Sequence, residues 1–331
     1  MGVPLTSHRR MKAAVVRGPG DVVLESTALP EPGPGEVLLQ LEGCGICGSS
    51  VPVWAGRPWF EYPQPAGAPG HEGWGRIAAV GDGVAQVAVG DRVAALSYHA
   101  HAEYDVAKAD QLVVLPASLD AVPVPGEALA CAINIFRRSG IEAGQTVAII
   151  GIGFLGAMLV RLAARAGANV IAIARREFAL EVARRFGAVS TIVMDEHWKI
   201  LDRVRELTGG RWCERVIEAV GAQWPLDLAG ELTGERGRLI IAGFHQDGLR
   251  QVNLQLWNWR GLDVVNAHER DPARYVDGMR QAVDLMAAGE LDPTPLFTHH
   301  LPLHELGRAM DLLQSRPDGF MKALVTTGPG R

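Results

Sequence analysis

The sequence has no apolar stretch approaching the length needed to cross a bilayer, and Met1 to Arg10 lacks the apolar run of a secretory signal. A cytoplasmic protein is the expectation. Nor is there a block of lysine and arginine: with a formal net charge of −5 the chain carries no electrostatic footprint for nucleic acid or an anionic membrane. A small neutral or cationic partner fits better. Cysteine is scarce, with four (Cys44, Cys47, Cys131, Cys213) in 331 residues, which argues against a disulfide framework and for free or metal-bound thiols. Met1-Gly2 with Thr6 matches the short N-myristoylation pattern, but Met11 to Val16 reads as the start of the first strand, so acylation is not expected.

Apolar residues at 48% and charged residues at 21% are globular values and exclude disordered, collagen-like and coiled-coil chains. The length suits two cores rather than one. From Met11 to about Pro125, glycine and proline interrupt short β-branched runs (Val37-Leu38-Leu39, Arg76 to Val80, Gln111 to Leu115), the pattern of a small β domain. Pro123-Val124-Pro125-Gly126 reads as a hinge, and Glu127 to Arg138 as a helical connector. From Gln145 to about Val265 the chain alternates near-continuous apolar runs (Val147 to Ile150, Val170 to Ile173, Arg215 to Glu218, Arg238 to Ile241) with amphipathic helices. That alternation marks a parallel sheet covered on both faces. Beyond it, Arg274 to Ala288 has helical spacing, and Ala323 to Thr326 supplies a last strand.

Gly151-Ile152-Gly153-Phe154-Leu155-Gly156 follows one apolar run directly and opens a helix. Strand, glycines, helix and second strand in that order form a dinucleotide fingerprint: the glycines allow a tight turn, close approach of a pyrophosphate, and close packing of helix on strand. The plain alternative is an ordinary tight turn. The tip of the second strand should carry a carboxylate if the ribose hydroxyls are free. It reads Ala174-Arg175-Arg176 instead, and two guanidinium groups there favour a 2′-phosphate, hence NADP(H). Gly243, after the Arg238 to Ile241 run, is counted with Gly151, Gly153, Phe154, Leu155, Gly156, Arg175 and Arg176 as cofactor-binding.

Cys44-Gly45-Ile46-Cys47 has no second C-x-x-C to complete a closed zinc knuckle, and as a redox pair it lies in the wrong half of the chain. Downstream, Gly70-His71-Glu72-Gly73 adds an imidazole and a carboxylate. Thiolate, imidazole and carboxylate together make a catalytic zinc set with room for water or substrate.

These motifs, with Gly90-Asp91-Arg92-Val93 and Glu218-Ala219-Val220-Gly221, resemble in order the zinc-dependent medium-chain dehydrogenase/reductase family. The resemblance implies an α/β fold: a Rossmann doubly wound parallel sheet over residues 126–264, interrupting a GroES-like β-rich catalytic domain over 1–125 and 265–331. It places the first metal ligand on Cys47, the second on His71 and a flexible Glu on Glu72. In the polyol-dehydrogenase-like branch a further carboxylate falls on Glu127, preferred here to Cys131. Ser49 becomes the first proton carrier beside the metal.

Several features depart from the family pattern. No cysteine lies between Val93 and Tyr104, so one catalytic zinc and no structural zinc is the expectation. Ser50 replaces an Asp that would accept from His71, which should weaken the metal site. Pro52 replaces a relay His, leaving His99 and His101 as candidates to carry the proton onward, although loop histidines of this kind are usually exposed. Trp54, Trp59 and Phe60 lie in a loop that borders the substrate pocket in the family. The expected activity is hydride transfer between NADP(H) and an alcohol, ketone or aldehyde by a homodimer or homotetramer. A zinc-free quinone or enone reductase and a noncatalytic NADPH-binding protein are the alternatives.

Overall fold

A computed structural model describes residues 9–327; the myristoylation pattern at Gly2 and Thr6 lies outside the described residues. The chain divides into two compact units, one of Met1–Ala128 with Val283–Arg331 and the other of Leu129–Ala282. Among the described residues, no helix is long and apolar enough to cross a membrane.

The first unit is built on strands. β1 (Arg10–Gly18) and β2 (Asp21–Ala28) form an antiparallel ribbon. β3 (Glu36–Gly45), β4 (Gly73–Val80), β5 (Arg92–Ala95), β6 (Tyr104–Lys108) and β7 (Leu112–Val114) supply most of a seven-stranded sheet. The core beneath it gathers Leu39, Leu41, Ile46, Trp54, Ile77 and Phe320.

The second unit holds an all-parallel six-stranded sheet. Its strands are β8 (Thr146–Ile150), β9 (Asn169–Ala174), β10 (Ser190–Val193), β11 (Cys213–Glu218), β12 (Thr233–Ile241) and β13 (Asp263–Asn266), in spatial order β10-β9-β8-β11-β12-β13. The strand order reverses between β8 and β11. That is the doubly wound arrangement, whose ligands bind outside the carboxyl ends of the strands at the reversal. Val147 to Ile150 and Val170 to Ile173 are at most 2% exposed, which is why these runs read as continuously apolar rather than alternating.

The chain then returns to the first unit with β14 (Phe297–Pro302) and β15 (Lys322–Thr326), a parallel pair joined through the helix Leu306–Ser315. β15 pairs antiparallel with β3 (Leu324 opposite Gly45), and β3 with β4 (Cys44 opposite Gly73). Three strands from distant parts of the sequence thus bring both metal-type motifs and the chain's last strand side by side.

Candidate metal centre and dinucleotide site

Cys47 follows β3 and precedes the short 3-10 turn Gly48–Ser50, while His71 and Glu72 immediately precede β4. One ligand atom each from Cys47, His71 and Glu72 lie within 4.8 Å of one another. Ser49 completes the group: its Oγ is 3.2 Å from Cys47 Sγ and 3.4 Å from His71 Nε2.

His71 Nδ1 is 2.7 Å from the Pro69 carbonyl, which can only accept, so Nδ1 carries a proton and Nε2 faces the thiol. Where the family pattern would offer an Asp in place of Ser50, the Pro69 backbone carbonyl accepts from His71 here. Burial works against a charged imidazole here, but Cys47, Glu127 and Glu72 outweigh it and raise the His71 pKa to about 10. A thiol, an imidazole and a carboxylate converging on one point are a donor set that suits zinc. Cys44 is different: burial and the nearby Glu72 push its thiol far up, so it is inert rather than half of a redox pair.

Glu72 turns toward Lys322, the first residue of β15. Nζ lies 2.6 Å from Oε1 and 2.5 Å from Oε2, with the side chains 6% and 1% exposed. Burial alone would lower the Lys322 pKa; the charges of Glu72 and Cys47 reverse this and raise it. A Cβ on Gly45 would lie 1.9 Å from Glu72 Oε2, so this carboxylate can reach Lys322 only past a glycine. Sequence reasoning missed Lys322, since a single lysine 250 residues from its partner leaves no local pattern.

Glu127 lies in the first turn of the helix Gly126–Ser139, outside the close trio, and its charge acts on both His71 and Lys322. Cys131 is half-buried one turn on, with Sγ 3.8 Å from Tyr275 Oη. His101 is 1% exposed, contrary to expectation for a loop histidine, because backbone bonds seat its segment against Gly67 and Ala14. Neither of its ring nitrogens has a hydrogen-bond partner, and burial, reinforced by the His71 charge, lowers its pKa to about 3. His99 stays exposed. Trp54 is a core residue whose Nε1 donates to Asp311 Oδ1 at 2.9 Å. Trp59 is 52% exposed, with Phe60 beside it.

In the second unit, Gly151 leaves β8 with φ +95°, a conformation that favours glycine, and Gly153 caps the helix Phe154–Arg165. A Cβ on Gly156 would lie 2.0 Å from the Gly151 carbonyl oxygen, so helix and turn meet only through a glycine. Phe154 is buried and Leu155 half-buried in the helix's first turn. The N-terminal end of that helix lies at the carboxyl end of β8. β9 ends at Ala174; Arg175 is exposed and Arg176 holds the cap position of the helix Glu177–Arg185. Gly243 follows β12 and donates its N–H to the Glu218 carbonyl at 2.8 Å.

Two family models match the chain: an alcohol dehydrogenase GroES-like domain over residues 33–126 and a zinc-binding dehydrogenase over residues 155–287. An erythritol/L-threitol dehydrogenase of Mycolicibacterium smegmatis is 29% identical, covering 96% of this chain and 98% of its own. A sorbitol dehydrogenase of Ovis aries is 26% identical over 95% and 96% of the two chains. The crystal structure of a putative zinc-binding dehydrogenase from Sinorhizobium meliloti, bound to NADP, superposes with a TM-score of 0.82 at 27% identity, covering 96% of this chain and 100% of that one. With a GroES-like unit presenting Cys47, His71 and Glu72, and a doubly wound unit presenting the glycine turn, this chain belongs to the zinc-type medium-chain dehydrogenase/reductase family.

Proposed function

We propose that the protein transfers hydride between NADP(H) and an alcohol or the corresponding ketone or aldehyde, using one zinc ion per chain. The convergence of Cys47, His71 and Glu72, with the Ser49 hydroxyl within 3.4 Å of His71, carries this reading.

Cys47 and His71 are the fixed ligands, since His71 is oriented by the Pro69 carbonyl. Glu127 is the third, because Glu72 is engaged by Lys322; Glu72 can replace it when released from that ion pair. The group held there supplies Lewis acidity, favouring the carbonyl's polarisation or the alcohol's ionisation. Ser49 sits at the ligands and takes the hydroxyl proton. Lys322 keeps the charge of Glu72 neutralised inside the fold, where an unpaired carboxylate would be costly.

Gly151, Gly153 and Gly156 cradle the pyrophosphate at the helix N-terminus, and Arg175 and Arg176 stand where a 2′-phosphate falls. Guanidinium forks can bind that phosphate bidentately, which a free ribose hydroxyl does not reward.

Elemental analysis with NADPH and NADH titrations on one purified sample tests the proposal. About one zinc per chain and at least about tenfold tighter NADPH binding are expected, corresponding to about 1.4 kcal/mol from the guanidinium contacts. A folded, metal-supplied protein without zinc would remove the metal mechanism and favour a zinc-free enone reductase. Preference for NADH would overturn the reading of Arg175 and Arg176. Full zinc and NADPH binding without turnover on alcohols or ketones would favour a noncatalytic binding protein.

A further inference from the structure

In the second unit a chain of polar groups, running from the buried Glu218 to the half-buried His245 and Arg250, spans the carboxyl ends of β11 and β12. Glu218, the last residue of β11, has a side chain that is 0% exposed. Its Oε1 accepts from the backbone N–H groups of Val220 and Gly221 at 2.7 and 2.8 Å, and its Oε2 meets His245 Nε2 at 2.8 Å. Arg250 Nε lies 3.0 Å from His245 Nδ1. A guanidinium can only donate, so Nδ1 accepts, the ring's proton sits on Nε2, and Nε2–H donates to Glu218. Both nitrogens of His245 are thereby committed. Arg250 also donates to the Gly221 carbonyl at 3.0 Å and pairs with Asp247, fixing the outer end of the same loop.

This chain pins the segment after β12 on both sides of one residue. Gly243 packs so closely that a Cβ would lie 2.2 Å from Gly221 N and 2.6 Å from Glu218 Oε2. Phe244, between Gly243 and His245, is 44% exposed. Hydrogen bonds hold its neighbours while its own side chain is left for something else.

The place of this segment in the sheet says what that is. The glycine turn after β8 and the arginines after β9 take the pyrophosphate and the phosphorylated adenosine, so the other mononucleotide lies across the reversal, over the ends of β11 and β12. We infer that Glu218, His245 and Arg250 act as positioning residues that hold Gly243 and Phe244 against the nicotinamide half of the dinucleotide. The inference rests on the dinucleotide-binding reading and assigns a role within it that none of the sequence motifs marks.

The test compares NADPH with 2′-phospho-ADP-ribose, which retains the phosphorylated adenosine and pyrophosphate but lacks nicotinamide, by calorimetry on the full chain. His245→Leu removes both hydrogen bonds. It should weaken NADPH at least about tenfold while changing 2′-phospho-ADP-ribose less than about twofold. His245→Gln can donate to Glu218 and accept from Arg250 at once, and should restore NADPH to within about threefold of the wild type. Should His245→Leu not fold, Arg250→Met, which breaks only the outer arm, should show the same selective loss. Equal weakening of both ligands, or unchanged NADPH binding, would overturn the inference while leaving the dinucleotide reading in place. A wild-type protein that binds neither ligand would overturn both.

Discussion

His101 is sealed in the first unit at 1% exposure with neither ring nitrogen hydrogen-bonded. An unsatisfied buried polar atom costs about 1–3 kcal/mol, and protonation would add a buried charge. Its pKa of about 3 lies below the ordinary 6.5. The unfolded chain therefore binds a proton there first, and the stability held above pH 6.5 is lost as the pH falls toward 3, at about 1.4 kcal/mol per unit. His101→Phe should be about 1–2 kcal/mol more stable than the wild type at pH 7.5, and the gap should widen by about 2 kcal/mol at pH 5.0. Urea midpoints at the two pH values check this. A gap that stays constant would mean that His101 finds a partner the ring environment does not suggest. Nothing in the sequence distinguished this residue from His99 two positions earlier, because burial of a loop is decided by what it packs against. The same holds for Lys322, whose partner lies across a strand pairing that only the fold creates.

At the scale of the element, the turn from β8 into the helix Phe154–Arg165 was legible because each glycine answers a local constraint. The constraints are different, which makes them separable. Gly156 is in contact: a Cβ there would lie 2.0 Å from the Gly151 carbonyl, so Gly156→Ala must push helix from turn, costing about 1–3 kcal/mol and NADPH affinity together. Gly153 has nothing within 4 Å of where its Cβ would be, and its φ of −95° is open to any residue. Gly153→Ala should therefore leave thermal stability within about 0.5 kcal/mol of the wild type while weakening NADPH at least about tenfold, since the added methyl occupies pyrophosphate space. A Gly153→Ala protein that binds NADPH normally would show that the phosphate does not approach this backbone. The buried parallel strands were equally legible, because strands covered on both faces must be apolar throughout. The Glu218–His245–Arg250 chain was not: its residues look like unremarkable polar positions until two strand ends are brought together.

For the whole molecule, the two sites are built by different units and by different kinds of sequence distance. The glycine turn is local, whereas the metal-type cluster joins β3, the loop before β4 and the last strand β15, near residues 47, 72 and 322. A ligand stabilises the segments that must be ordered to hold it, by about 2.7 kcal/mol at a hundredfold excess over its dissociation constant. Hydrogen exchange on the full chain should therefore give two separate footprints. Zinc added to chelator-treated protein should slow exchange at residues 45–50 and 67–73 and leave β15 unchanged, because Glu72 stays with Lys322 while Glu127 is the third ligand. NADPH should instead slow residues 151–157, 219–221 and 243–251. Zinc protection confined to the Cys47 and His71 loops, with β15 unchanged, would show that Glu72 keeps its ion pair when metal binds, leaving Glu127 as the lasting third ligand. Protection that reaches β15 would mark Glu72 as the residue that moves.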